Sequence, residues 1–249
     1  MKGLKFWKPL NFDVTSFRWK LKERVGRRFQ GSGSDNSSKN TYTYNELGFR
    51  GNSFLKNGFK IMSVGCSHTE GIGVNDDETW PHILSNLVPN SVDLNFGHSG
   101  RSNDYIARSI ITWVDEMKPS IVLVMYTYPH RREYYRDNGD VEPYHPSPWG
   151  YFEEEREGRI DWANMTSMAN EHEDIINWYK NHLLITNFLK SREIPFIWNG
   201  TFVGTDYTDE NRFDGNYPNL PDEHKHATFL QNEAYAKNLY NYIKEKFEM

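Results

Sequence analysis

Residues 120–126, Ser-Ile-Val-Leu-Val-Met-Tyr, follow Pro119 and carry no charge and no polar alternation after Ser120. A strand with one wet face alternates polar and apolar residues. A continuous β-branched run is instead covered on both faces, the habit of strands in parallel sheets flanked by helices. The rest of the chain supplies the partners such a strand needs. Lys60 to Val64, Val92 to Phe96 and Ile194 to Trp198 read as three more strands. Glu78 to Val88 has helical spacing at Trp80, Ile83, Leu84 and Leu87, and Asn103 to Met117 places Ile106, Ile110, Trp113, Val114 and Met117 on one face. Further helices are expected near 165–192 and over 229–247. Strand and helix alternate, which predicts an α/β domain with a central parallel sheet and its functional site at the carboxyl ends of the strands.

The chain's 249 residues suffice for one such domain and an appendage. The first thirty residues carry a net charge of +7, so the remainder carries −12 of the total −5. Leu4, Phe6, Trp7, Leu10, Phe12, Phe17, Trp19 and Leu21 are interleaved with those basic residues. The pattern reads as an attachment arm for an anionic surface or a protein, a virion component included, against the plainer reading of a solubilising tail. Gly31 to Asn40 is a flexible linker by composition, which divides the chain into an arm and linker at 1–40 and a body at 41–249. The segment 129–163, acidic at Glu153 to Glu157 and rich in aromatics, reads as an insertion or lid. Cys66 is the single cysteine, so no intrachain disulfide can form. No apolar run is long enough to span a bilayer and no signal-peptide core is present, so synthesis in the cytoplasm is expected.

Three loops carry residues suited to chemistry. Gly65-Cys66-Ser67-His68-Thr69-Glu70-Gly71 follows the first body strand and presents Ser67 on a strand-to-helix turn, where backbone N–H groups can hold an anion. Asn95-Phe96-Gly97-His98-Ser99-Gly100-Arg101-Ser102-Asn103-Asp104 follows the next strand. Its glycines allow close backbone approach to a ligand, or simply form a tight turn with Ser102 as helix cap. Asp222-Glu223-His224-Lys225-His226 precedes the last helix. A carboxylate there could orient a histidine that deprotonates a serine, or the cluster could be a charged cap.

Together these segments resemble the SGNH (GDSL-like) hydrolase family, over roughly residues 41–130 and 220–245. Tyr44-Asn45-Glu46-Leu47-Gly48-Phe49-Arg50-Gly51 is similar to the lead-in of many bacterial and phage members, and Lys60 to Val74 to their first block. Asp77 to Pro81, Lys118 to Val122, and the spacing from His226 to Asn232, Tyr235 and Ala236 extend the likeness. The resemblance implies a flavodoxin-like, three-layer α/β/α fold and ester or acyl-group hydrolysis without a cofactor. It implies Ser67 as nucleophile and donor of one oxyanion N–H, Gly100 as a second backbone donor, and His226 as general base. The substrate class it implies is an acylated small molecule or glycan, with an O-acetylated carbohydrate favoured.

The likeness departs from the family in two places. The third block, Met125 to Glu133, lacks the family's oxyanion Asn, as in a phage-like subgroup; Asn103 or Arg131 would have to substitute. The family's acid stands three residues before the histidine. Here that position is Glu223, while Asp222 stands four before. Asp222 is slightly favoured as the family's residue type. Three other readings compete. His68, His98, His130, His224 and His226 all fall on loops and invite a metal reading, although no HExxH spacing is present. The missing Asn and the arm also allow a weakly active or inactive SGNH-fold binding protein, virion-associated, with aromatic loops that suit sugar. Direct nucleic-acid recognition is supported by the arm alone.

Overall fold

The computed structural model describes residues 26, 28–32, 39–135, 141–144, 170–200, 207–215 and 226–247. Strands β1 (Arg28–Ser32) and β2 (Lys39–Thr43) pair antiparallel. The body then runs β3 (Phe59–Gly65), α1 (Ser67–Glu70), a 3-10 turn at Asp76–Glu78, α2 (Trp80–Leu87), β4 (Ser91–Gly97), α3 (Asn103–Met117) and β5 (Ile121–Tyr126). A hairpin of β6 (Arg132–Tyr135) and β7 (Val141–Tyr144) follows, then α4 (Glu171–Lys190), β8 (Phe196–Gly200) and α5 (Phe229–Phe247).

The expected parallel sheet is present, with strand order β4-β3-β5-β8 and every pairing parallel. Alternate residues on each strand feed two separate cores. Met62, Val64, Val122, Val124 and Trp198 pack with Ile106, Ile110 and Trp113 of α3 and with Trp178, Ile185 and Leu189 of α4. Ile61, Ile121, Leu123, Met125 and Ile197 pack on the opposite face with Trp80 and Leu84 of α2 and with Tyr235, Leu239 and Ile243 of α5. Both faces of β5 are therefore buried, as its composition requires, and the three layers are α/β/α.

The chain leaves β3 toward β4, then crosses back and leaves β5 toward β8. The loops after β3 and β5 diverge at their carboxyl ends, and the gap between them is the switch point where such sheets bind ligands.

Two boundaries differ from expectation. Gly31, Ser32, Lys39 and Asn40, read from composition as linker, are strand residues in the β1–β2 pair. Backbone hydrogen bonding, which ignores side-chain identity, orders them. The segment 129–163 contributes strands β6 and β7; its residues 136–140 and 145–163 lie outside the described residues, as do residues 1–25, 27 and 33–38 of the arm and linker.

The lead-in segment closes the site end of the sheet. Asn45 Oδ1 accepts from the N–H groups of Leu47 and Phe49, setting a turn. Phe49 then lies against Phe54, Phe96 and Trp113. Arg50, 1% exposed, donates to the carbonyls of Glu70, Gly71 and Val74 and pairs with Asp76 at 2.8 Å. A buried guanidinium this well satisfied fixes the turn that ends α1.

Candidate active site

Ser67 is the first residue of α1, immediately beyond β3, with Cys66 as N-cap. It therefore sits at the switch point, on the lip formed by the β3 loop. Its side chain is 8% exposed, and its hydroxyl finds only Cys66 Sγ, at 3.9 Å, among the described residues. No hydrogen bond joins Ser67 to His226 there.

The loop after β4 is drawn tightly against α1. A Cβ on Gly97 would stand 2.1 Å from the main-chain nitrogen of Glu70, so only glycine permits this approach. Asn95 clamps the same junction, donating to the Thr69 carbonyl at 2.9 Å and accepting from Gly97 N–H at 2.9 Å. The fully buried Glu70 carboxylate accepts from Tyr44 Oη at 2.8 Å and from Ser99 N–H at 2.5 Å. Gly100 follows in the left-handed region at φ 72°. Ser102 caps α3, accepting from Tyr105 N–H.

His226 stands just before α5, half-buried. Its place is set by Thr228, which exchanges capping bonds with Gln231, and by Asn232. Asn232 donates to the carbonyls of Ala227 and Thr228 and accepts from Trp80 N–H, tying the starts of α5 and α2 together. Tyr235 packs edge-on against Trp80. The His226 ring lies 5.1 Å from the ring of His68, the residue after Ser67. Burial, then the neighbouring His226 and Arg131, push the His68 pKa down to about 3. Burial, then the charge of Arg131, lower the pKa of His226 as well, while Glu70 opposes the shift. Both rings are therefore neutral near neutrality, and a neutral His226 is the form that can accept a proton.

The loop after β5 forms the other lip. Asn103, fully buried at the head of α3, accepts from Thr127 N–H at 2.9 Å and donates to the carbonyls of Thr127 and Tyr128 at 3.1 and 3.5 Å. The Asn103 side chain, expected as a possible substitute oxyanion donor, thus spends its hydrogen bonds on the loop after β5. Its amide is committed to backbone groups, which would otherwise be left buried and unsatisfied. Arg108 holds Glu133 with two bonds at 2.9 and 2.7 Å, and Arg132 pairs with Asp174 at 2.6 Å. Arg131 donates to Thr127 Oγ1 at 3.0 Å and lies 4.8 Å over the Tyr128 ring, which stacks on His130.

The described histidines do not converge as a group. His68 and His226 meet, His98 goes to Arg101 and Tyr105, and His130 stacks on Tyr128. Among the described residues no three His, Cys, Asp or Glu side chains gather as a metal site. Asp222, Glu223 and His224 lie outside the described residues. No helix among the described residues is long and apolar enough to cross a membrane. Sequence reasoning missed Glu70 altogether. Its signal was a lone carboxylate inside a glycine-flanked loop of otherwise neutral residues.

No protein-family model matches the chain, and no curated protein does. Solved structures do. A carbohydrate esterase family 2 enzyme with a carbohydrate-binding domain from Corynascus thermopiles aligns at 9% identity over 84% of this chain and 72% of its own, with a TM-score of 0.47. The SGNH-hydrolase family esterase AlinE4 aligns at 17% identity over 78% and 75%, with a TM-score of 0.36. A lipolytic G-D-S-L family member from Veillonella parvula aligns at 14% identity over 73% and 96%, with a TM-score of 0.33. The chain is similar to SGNH/GDSL hydrolases and esterases. At these identities and TM-scores the likeness says nothing of this chain's activity or site residues.

Proposed function

We propose that the protein is a serine-dependent ester hydrolase. The observation that carries this reading is Ser67 at the head of α1 on the switch-point lip, next to the paired neutral rings of His68 and His226. In the proposed reaction the Ser67 hydroxyl oxygen attacks the acyl carbon and its proton passes to His226. The carbonyl π pair moves onto oxygen, toward the N–H groups of Ser67 and Gly100. Collapse expels the alcohol, which takes the proton from His226. Water then attacks the acyl-serine by the same route, its proton passing through His226 to the Ser67 oxygen, and the acid is released. Asp222 or Glu223 is the proposed partner that orients His226.

Within this class we favour an O-acetylated carbohydrate as substrate. Tyr128 and His130 bring half-buried aromatic side chains to the opposite lip, a residue type that suits contact with sugar. The basic arm is the proposed attachment device, on its charge alone. A weakly active or non-catalytic binding protein is the second reading. It is favoured by the missing Ser67–His226 hydrogen bond, although such bonds often form only once substrate is present.

The test is labelling by a fluorophosphonate probe, with turnover of p-nitrophenyl acetate, in wild type, Ser67→Ala and His226→Ala. Labelling and turnover in the wild type that vanish in both variants are expected. A folded wild type that neither labels nor turns over would leave the binding reading in possession.

A further inference from the structure

Three arginines flank the loop after β5, and they are not alike. Arg108 is neutralised by Glu133 and Arg132 by Asp174. Arg131, on the switch-point lip, has no ion pair among the described residues, and its buried Nε has no hydrogen-bond partner. It is nevertheless held firmly. Thr127 Oγ1 takes its Nη1, the Tyr128 ring lies beneath its plane, and Asn103 anchors the Thr127 backbone. Its charge reaches both His68 and His226. A rigid, partly desolvated guanidinium without a counter-charge is an anion receptor in waiting, because water no longer screens it and no carboxylate quenches it.

We propose that Arg131 binds the negatively charged oxygen that develops on the attacked carbonyl, and so is a catalytic residue of the Ser67 site. This rests on the serine-hydrolase reading above. The two backbone donors, at Ser67 and Gly100, belong to the β3 and β4 loops. Arg131 belongs to the loop after β5, on the other side of the gap, and a third donor must come from that side if the oxyanion is to be held from both lips. Asn103, the nearest alternative amide, is committed to Thr127 and Tyr128. An oxyanion forms only in the transition state and the tetrahedral intermediate, so the contribution of Arg131 falls on kcat and hardly on KM.

The experiment compares wild type, Arg131→Gln and Arg131→Lys on p-nitrophenyl acetate, which is neutral, and on mono-4-nitrophenyl succinate, which carries a carboxylate. The pH dependence of kcat/KM is recorded for each, with circular dichroism to confirm folding. Arg131→Gln is expected to lower kcat about 10²–10³-fold on both esters with KM little changed, the loss typical of one oxyanion donor. Among the described residues the groups that act on His226 are His68, Glu70 and Arg131, and of these, as of the proposed partners Asp222 and Glu223, only Arg131 is altered. The acid limb should therefore move to higher pH in Arg131→Gln and stay in place in Arg131→Lys, which recovers part of kcat. Wild-type turnover with an unchanged kcat in Arg131→Gln would overturn the proposal while leaving the serine-hydrolase reading intact. So would a loss confined to KM on the succinate ester, which would make Arg131 a reader of substrate charge. A wild type that neither turns over nor labels with fluorophosphonate would overturn both.

Discussion

The main-chain N–H of Ser99 donates to the carboxylate of Glu70 at 2.5 Å, coupling the helix that begins at Ser67 to the loop that presents Gly100. Two proposed oxyanion donors are thereby held at a fixed separation by one buried charge, which Tyr44 steadies from the other side. Glu70→Gln keeps the shape and removes the charge, and Glu70→Ala removes the acceptor of two donors. Each lost bond of this kind is worth ~1–3 kcal/mol, so the alanine variant should unfold at clearly lower urea concentration and the glutamine variant in between. The glutamine variant should also label more slowly with fluorophosphonate while remaining folded. Unchanged labelling would mean that the Gly100 loop is held by other contacts.

Asp93 stands inside β4, and its Oδ1 is buried without a hydrogen-bond partner. Burial raises its pKa from 3.8 to about 7. The folded state therefore prefers the protonated acid. The resulting stabilisation is fully present below pH about 4 and is lost as pH rises toward 7. The difference between 3.8 and about 7 corresponds to about 4 kcal/mol. Asp93→Asn should flatten this slope and be more stable than wild type at pH 8, as read from denaturation midpoints across pH. A wild type whose stability is level from pH 5 to 8 would contradict the assignment.

The fold was legible where one element decides its own environment. The uniform run of β5 announced burial on both faces, and the residues expected on the inner face of α3, from Ile106 to Met117, are all buried. Ser67 was legible as a strand-to-helix serine. What escaped was whatever depends on partners far along the chain. Asn103 and Thr127 are 24 residues apart, and Glu70 meets residues 26 and 29 positions away. No local period encodes such bonds. The β1–β2 pair escaped for the opposite reason, since Gly and Ser composition reads as linker while the strand bonds come from the backbone.

Burial and Arg131 both depress the pKa of His226, and Glu70 compensates only in part. In the proposed mechanism the neutral ring is the base, so activity should persist to lower pH than an unperturbed histidine, near 6.5, would allow. The acid limb of kcat/KM for p-nitrophenyl acetate should accordingly lie below pH 6.5. A limb at or above that value would mean that an acid outside the described residues outweighs both effects.

Asn103 bridges the head of α3 to the backbone of Thr127, and through it to Arg131. Asn103→Ala would strand a buried N–H and carbonyl, a loss of ~1–3 kcal/mol per group. Asn103→Asp separates structure from chemistry more cleanly. Its carboxylate can still accept from Thr127 N–H but meets the Thr127 carbonyl with like partial charge, loosening the lip without emptying it. If Arg131 depends on that lip, Asn103→Asp should lower kcat per folded molecule on the neutral ester while KM changes little. A full loss of stability with residual activity per folded molecule equal to wild type would confine Asn103 to folding and detach it from the site.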